Sequence, residues 1–340
     1  MIIDASAPES IEQAAQSLLK GALIGLPTET VYGLASDAMN DEATLKIFSL
    51  KGRPVDHPLI AHVVDKGALQ HFASDVPLFA RYLIEAFWPG PLTLILKKIP
   101  GVAQACTAGA GTIALRCPLH PVAQLLLKRC SELGVWGIAA PSANRFGRVS
   151  PTTARHVLDE FGGSLLILDG GPCEVGIEST IVDCTRGAPV VLRPGILTLE
   201  QISIAAKQPA FTRADWSGKP ATTQAGTPKA SGTLDSHYAP NALLRLLSNE
   251  EILNALASFK DKDVKLAIWA KAHPTLEGLA QNFLFELMPN TPEECARALF
   301  AQLRAFDTLG ITEIWVEKPP QSSEWAGITD RLQRAAHIAG

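Results

Sequence analysis

The chain has 340 residues, of which 47% are hydrophobic and 19% charged, and its formal net charge is −4. That composition supplies a globular core and argues against a disordered or polyanion-coating protein, whose phosphate affinity would need clustered Lys and Arg. At roughly 100–200 residues per domain, the length predicts two domains.

The opening Met1-Ile2-Ile3-Asp4 lacks a basic segment followed by a long apolar run, so no signal peptide is expected. No run approaches the ~18 apolar residues of a membrane span, and no membrane partner is expected. The six cysteines, Cys106, Cys117, Cys130, Cys173, Cys184 and Cys295, form no C-x-x-C pair and no zinc-ligand spacing with histidine. Scattered in this way they read as buried, reduced thiols, which predicts a cytoplasmic protein.

In chain order, Ile11, Ala14, Ala15, Leu18 and Leu19 fit one helix face, and Ala22–Leu26 reads as a buried strand stopped by Pro27. The segment Pro27-Thr28-Glu29-Thr30-Val31-Tyr32-Gly33-Leu34 leaves that strand. It is either a ligand loop at a strand's carboxyl end, where open α/β sheets bind ligands, or a plain turn shaped by Pro and Gly. A helix over 42–50 closes in Lys51-Gly52-Arg53-Pro54. A point charge and a planar fork suit a triphosphate or carboxylate, and cations also favour helix C-termini.

A strand over 59–64, a helix over 76–87 and a strand over 92–97 follow. The next strand, 112–116, ends in Arg116 before the breaker Cys117-Pro118, where the guanidinium faces a cleft or reaches solvent. After a helix over 121–133, a strand over 136–140 runs into Pro141-Ser142-Ala143-Asn144. Those side chains and loop N–H groups hold phosphate oxygens or a nucleobase, or form a turn before the helix over 152–161. Strands over 165–169, 179–184 and 190–193 are joined through the glycine-rich Asp169–Pro172 and Gly176–Thr180, and Arg193 again stands at a strand end.

Residues Lys207 to Leu234 are rich in Pro, Gly, Ser and Thr and read as a linker. It is long for a plain connector, so a lid over the nucleotide cleft ending in His237-Tyr238 is expected, with a solvated tether as the alternative. Beyond Pro240, strands over 243–247, 264–269, 283–287 and 311–316 alternate with helices over 250–258, 292–309 and 324–338, the pattern of a small Rossmann-like domain. It has no G-x-G-x-x-G and no P-loop. The predicted organisation is 1–206, a linker or lid at 207–240, and 241–340. No Ser-His-Asp order, H-E-x-x-H or G-x-S-x-G is present, so nucleophilic or zinc hydrolysis has no support.

Taken in order, several segments resemble the YrdC/Sua5 family of threonylcarbamoyl-AMP synthases: Pro27–Leu34, Lys51–Pro54 with Pro58–Val63, Trp88–Thr93, Ala114–Pro121, Pro141–Asn144 with Ser150–Thr152, Gly176–Asp183 and Leu192–Gly195. The likeness spans about residues 8–205. His237-Tyr238-Ala239-Pro240, Asp330-Arg331-Leu332 and Ala335-Ala336 resemble the Sua5-type extension.

The resemblance implies an α/β fold, a YrdC-like twisted open sheet with a large cavity, plus a smaller Rossmann-like C-terminal domain. It implies a nucleotidyltransferase that converts L-threonine, bicarbonate or CO2, and ATP to threonylcarbamoyl-AMP and pyrophosphate. A downstream tRNA threonylcarbamoyl transferase then uses the product. By the same likeness Lys51 and Arg53 are the catalytic cations. The ATP site comprises Lys51, Arg53, Ser142, Asn144, Arg193 and His237, and the threonine site Thr30, Tyr32, His62, Arg116 and Ser179. Mg²⁺ is implied with ATP, without a protein-only metal site. The chain departs from the family pattern at His57, where Asn is frequent, and at Ser231–Ser236, where a lysine is lost. Two rival readings are an RNA-binding module without catalysis and carbamoyl transfer in hydrogenase maturation; the accessory modules of the latter are missing here.

Overall fold

A computed structural model describes residues 1–217, 237–259, 264–274 and 283–336. The first part is one mixed sheet of twelve strands. Its strands are β1 (Ile2–Asp4), β2 (Ile24–Leu26), β3 (Gly33–Asp37), β4 (Ile60–His62), β5 (Ala73–Asp75), β6 (Leu92–Lys98), β7 (Thr112–Arg116), β8 (Ile138–Ala139), β9 (Leu166–Asp169), β10 (Thr180–Asp183), β11 (Val190–Arg193) and β12 (Phe211–Thr212). The spatial order is β1-β9-β2-β3-β8-β4-β7-β6-β10-β11-β12, with β5 beside β6. Helices α1 (Pro8–Leu19), α2 (Asp41–Lys51), α3 (Leu78–Phe87), α4 (Pro121–Glu132), α5 (Ala154–Phe161) and α6 (Leu199–Ala206) accompany it.

The second sheet is wholly parallel, in the order β13 (Leu243–Leu247), β16 (Glu313–Glu317), β14 (Leu266–Ala270), β15 (Phe283–Leu287). Its helices are α7 (Asn249–Ser258), α8 (Pro292–Thr308) and α9 (Ala326–Ala336). Parallel pairing with interspersed helices is the Rossmann-like arrangement predicted for this part.

Several expectations need correction. Leu19 is 44% exposed rather than on the buried face of α1. Gly33-Leu34 open the strand β3, antiparallel to β2, so the loop after β2 is shorter than expected. The strand expected over 136–140 keeps two residues, Ile138–Ala139. Phe211–Thr212 pair in parallel with β11, so the first sheet reaches into the expected linker. The last helix is preceded by a 3-10 turn at Ser323–Trp325. Residues 218–236 of the expected linker, including the Ser231–Ser236 departure, and 337–338 of the expected helix lie outside the described residues.

The domains share a core. Val31, Val149 and Ile177 of the first part pack in one cluster with Tyr238, Trp269, Leu299, Phe300, Ile328 and Leu332. Two glycines meet across the boundary: a Cβ on Gly327, at the start of α9, would lie 2.6 Å from the Gly195 carbonyl oxygen. Real Cβ atoms do not approach a carbonyl so closely, so glycine is required there. All six cysteines are buried free thiols.

Candidate active site

The cleft forms where strand register and strand ends coincide. His62 and Arg116 are partners in the parallel β4/β7 pair, and Arg116 is partnered by Thr93 in β6/β7. Registered neighbours project to the same side of a sheet. Thr93 Oγ1 lies 2.7 Å from Ser179 Oγ, just before β10. Arg193, at the end of β11, donates to the Ser179 carbonyl at 2.9 and 3.1 Å and to Ser179 Oγ at 3.2 Å.

Arg116 is buried and its three nitrogens are directed to different groups. Nη1 donates to Thr30 Oγ1 at 2.7 Å, Nε to the Gly90 carbonyl at 3.3 Å, and Nη2 stands 2.6 Å from Glu29 Oε1. The Gly90 carbonyl is presented by the Trp88–Pro91 turn, in which a Cβ on Gly90 would strike the Phe87 carbonyl at 2.4 Å.

On the other side, helix α2 ends on Gly52, whose left-handed backbone (φ 65°) serves as the C-cap and reverses the chain between the two cations. Lys51 Nζ donates to the carbonyls of Ser142 and Asn144, and Phe146 N donates to the Lys51 carbonyl at 2.9 Å. Burial first, and then the Arg53 charge, hold the Lys51 ammonium well below the usual lysine range. Arg53 donates to the carbonyls of His57 and Pro58 at 3.3 and 3.1 Å, and burial lowers its guanidinium to about 10.

His237 and Tyr238 close the cleft. The His237 amide donates to the Arg334 carbonyl at 3.3 Å and the Ala239 amide to the Gly147 carbonyl at 2.9 Å, so both domains hold this segment. Tyr238 is 1% exposed, has a left-handed φ of 63° and stacks on Phe300. A non-glycine residue in that conformation costs about 1–3 kcal/mol, strain that collects at functional segments. Burial pushes the His62 and His237 imidazoles down to about 3; the Arg116 charge adds to this at His62, and at His237 the Arg53, Lys51 and Arg193 charges add to it against the opposing pull of Glu178. Both rings are therefore neutral at physiological pH. Among the described residues His62 Nδ1, His237 Nδ1, Tyr238 Oη and Asn144 Oδ1 are buried without a hydrogen-bond partner. Such atoms are few in native proteins, and several around one cleft mark a ligand site.

Of the residues singled out from sequence, Thr30, Arg53, His62, Arg116, Ser142, Ser179, Arg193 and His237 line this cleft together. Lys51, Asn144 and Tyr32 stand behind it. Lys51 braces the 142–144 loop, and Asn144 Nδ2 donates to the Arg145 and Arg148 carbonyls at 2.8 Å each. The Tyr32 hydroxyl donates to the Gly171 carbonyl at 2.7 Å. Tyr238 lies in the cleft as the expected end of the lid, and sequence reasoning missed Glu178, whose signal was position alone inside a segment already singled out. The cleft expected to be large encloses about 30 Å³ with His237 and Tyr238 seated in it. That is far below the ~300 Å³ at which small-molecule pockets begin. A larger groove of about 520 Å³ beside Lys66, Asp75 and Glu85 lies on the surface and is lined by exposed charges such as the Lys66–Glu85 pair.

Among the described residues no three His, Cys, Asp or Glu side chains gather as metal ligands. The cleft carboxylate Glu178 faces Arg331, and Glu29, beside the cleft, faces Arg116. The donor set does not fit a resident metal. No described helix is long and apolar enough to cross a membrane.

The open mixed sheet, with arginines at three strand or helix ends converging on one buried polar cleft, defines an α/β protein built to hold an anionic ligand. Family comparisons are more specific. A family model of Sua5, YciO and YrdC proteins, described as telomere recombination, matches residues 16–195. A second, described as threonylcarbamoyl-AMP synthase, C-terminal domain, matches residues 197–337. The chain belongs to the Sua5/YciO/YrdC family, in its two-domain form. Similar relatives include the threonylcarbamoyl-AMP synthases of Pyrococcus abyssi, 37% identical over 96% of this chain and 94% of the relative, and of Bacillus subtilis, 37% identical over 96% and 92%. The crystal structure of P. abyssi Sua5 complexed with L-threonine is 35% identical, covers 99% of this chain and 97% of that chain, and superposes with a TM-score of 0.85.

Proposed function

We propose that this chain is an L-threonylcarbamoyladenylate synthase. It joins L-threonine, bicarbonate or CO2, and ATP into threonylcarbamoyl-AMP with release of pyrophosphate. The observation that carries the reading is the convergence of Arg53, Arg116 and Arg193 on one cleft with Thr30, His62, Ser179 and His237, in a chain similar over its whole length to known synthases.

The threonine nitrogen bonds to the carbon of CO2 and loses a proton, giving a carbamate. A carbamate oxygen then bonds to the α-phosphorus as the bond to pyrophosphate breaks. Such transfers need positioning and charge stabilisation more than covalent chemistry. Arg116, with Thr30, His62 and Ser179, holds threonine through its carboxylate and hydroxyl, the neutral His62 serving as a hydrogen-bond partner rather than a charge. Arg53, Arg193, Ser142 and His237 hold the nucleotide. Lys51 and Asn144 act by setting the 142–144 loop, and Tyr32 by setting the 169–171 turn. Mg²⁺ enters as part of the substrate Mg·ATP. Seated over the site, His237 and Tyr238 exclude water from the labile carbamate.

The product is a mixed anhydride that a separate tRNA threonylcarbamoyl transferase consumes in forming N6-threonylcarbamoyladenosine, and the setting is the cytoplasm. The test is incubation with ATP, threonine and bicarbonate, followed by mass detection of the adenylate and assay of pyrophosphate. Absence of both, with a salt-dependent RNA mobility shift, would favour the RNA-binding reading instead.

A further inference from the structure

Arg331 belongs to the last helix of the second domain, yet it is 0% exposed and reaches the back of the first-domain cleft. Its Nε donates to Glu178 Oε2 at 3.0 Å and its Nη2 to the Glu178 carbonyl at 3.2 Å. Its Nη1 donates to the Pro194 carbonyl at 2.5 Å, and its guanidinium carbon lies 5.6 Å from the centre of the Tyr238 ring. One planar group thus touches three separate segments that wall the cleft. Each contact is adjacent in sequence to a ligand-facing residue: Glu178 to Ser179, Pro194 to Arg193, and Tyr238 to His237.

The surroundings leave these segments little other freedom. Glu178 Oε1 accepts from Ser150 Oγ at 2.6 Å, and Gly176 lies so close to α8 that a Cβ there would meet Arg297 Cα at 2.4 Å. Arginine is suited to this place because its fork gives several directed donors from one rigid plane, which a lysine ammonium cannot reproduce.

We propose that Arg331 is a positioning residue for the cleft: from the second domain it fixes Glu178, the Pro194 carbonyl and Tyr238, and through them registers the threonine side at Ser179 with the nucleotide side at Arg193 and His237. This rests on the synthase reading above. It gives the second domain a defined part in the first domain's chemistry.

The test uses the full-length chain and measures kcat and the KM for both threonine and ATP by pyrophosphate release, with thermal melting to gauge folding. Arg331→Met is expected to raise both KM values and lower kcat, for a loss of about ten- to a hundredfold in kcat/KM. Arg331→Lys is expected not to restore it. Asp307 faces Arg148 across the same boundary, 3.6 Å away and outside the cleft, and Asp307→Asn is expected to keep both KM values.

A purely structural role would lower kcat with the folded fraction and leave both KM values unchanged, and that result overturns the proposal. If Arg331→Met fails to fold, the double variant Arg331→Gln/Glu178→Gln removes both members of the buried pair. Raised KM values in it uphold the proposal, and wild-type values overturn it. Turnover absent from the wild-type chain overturns the synthase reading, and this proposal with it; turnover present with unaltered variants overturns this proposal alone.

Discussion

Arg116 Nη2 stands 2.6 Å from Glu29 Oε1 with both side chains less than 5% exposed, yet neither atom has an aligned hydrogen bond. Charge holds the pair, while the other arginine nitrogens are fixed by Thr30 and Gly90. Removing one member of a buried pair costs about 3–5 kcal/mol, because the other is left uncompensated. Glu29→Gln is therefore expected to lower the melting temperature markedly. L-Threonine is expected to raise it more in the variant than in the wild type, since the ligand carboxylate supplies the lost counter-charge. Equal shifts in a thermal-melting assay would remove Arg116 from the threonine site.

Arg53 and Lys51 should fail differently. Arg53 lines the cleft and Lys51 braces the loop behind it. A charge-assisted hydrogen bond contributes roughly 1.5–3 kcal/mol. Arg53→Ala is expected to reduce kcat/KM for ATP about ten- to a hundredfold, beyond what its fall in melting temperature accounts for, since the His57 and Pro58 carbonyls also lose their donor. Lys51→Ala is expected to lower both activity and melting temperature, since two carbonyls lose their donor. Near-normal pyrophosphate release by both variants would sink the assignment of these cations.

The 237–238 segment should couple ATP use to product. His237→Ala, and separately a chain ended after Lys207, are expected to consume ATP with a lower yield of adenylate, because water reaches the carbamate. Full adenylate yield from both, with no protection of the linker from protease by ATP or threonine, would contradict the lid.

Amino-acid selectivity follows from a cleft that offers hydrogen-bonding groups as well as apolar walls. Threonine should exceed serine by about ten- to two-hundredfold through the γ-methyl. Valine should be rejected more strongly, since it leaves a buried polar partner unpaired. Comparable turnover of all three would rule out this pocket.

Acid should act on stability in two stages. Burial is the main cause that holds His62 and His237 down to about 3 and His156 to about 4. The unfolded chain therefore binds protons below the usual value of 6.5 that the folded chain refuses. Stability is fully present above 6.5 and falls as pH drops from there toward 3. Glu178 is held below 4.5: burial would raise it, but the Arg331 and Arg193 charges and the Ser150 hydrogen bond outweigh that. Its contribution is present above 4.5 and lost as pH falls through its lower folded value. Melting temperature should thus begin to fall near pH 6.5. Glu178→Gln should flatten only the part below about 4.5. A flat profile between 6.5 and 5 would mean that these imidazoles are charged in the fold.

Much of the architecture was legible because strong signals coincided. Val190–Arg193 and Thr112–Arg116 are apolar runs with breakers after them, and both strands occur with the expected ends. The two-residue strand Phe211–Thr212 carries no period and exists only through its partner β11. The strand-end arginines were visible as candidates, and Arg53, Arg116 and Arg193 do face one cleft. The segment around a residue, however, does not say whether its side chain lines the cleft or turns to a carbonyl behind it, as those of Lys51, Asn144 and Tyr32 do. Glu178 and Arg331 are 153 residues apart, and a contact of that range leaves no local trace in one sequence.

The meeting of Gly327 with the Gly195 carbonyl has a mechanical consequence. Backbone rests on backbone there, with no side chain between them to give way, and the shared core continues on either side. A rocking motion of one domain on the other would drive peptide units into each other. The two walls of the cleft are therefore a fixed socket rather than a pair of jaws, with His237 and Tyr238 seated in its mouth. Any side chain larger than glycine at position 327 would push α9 outward and carry the back wall of the socket with it.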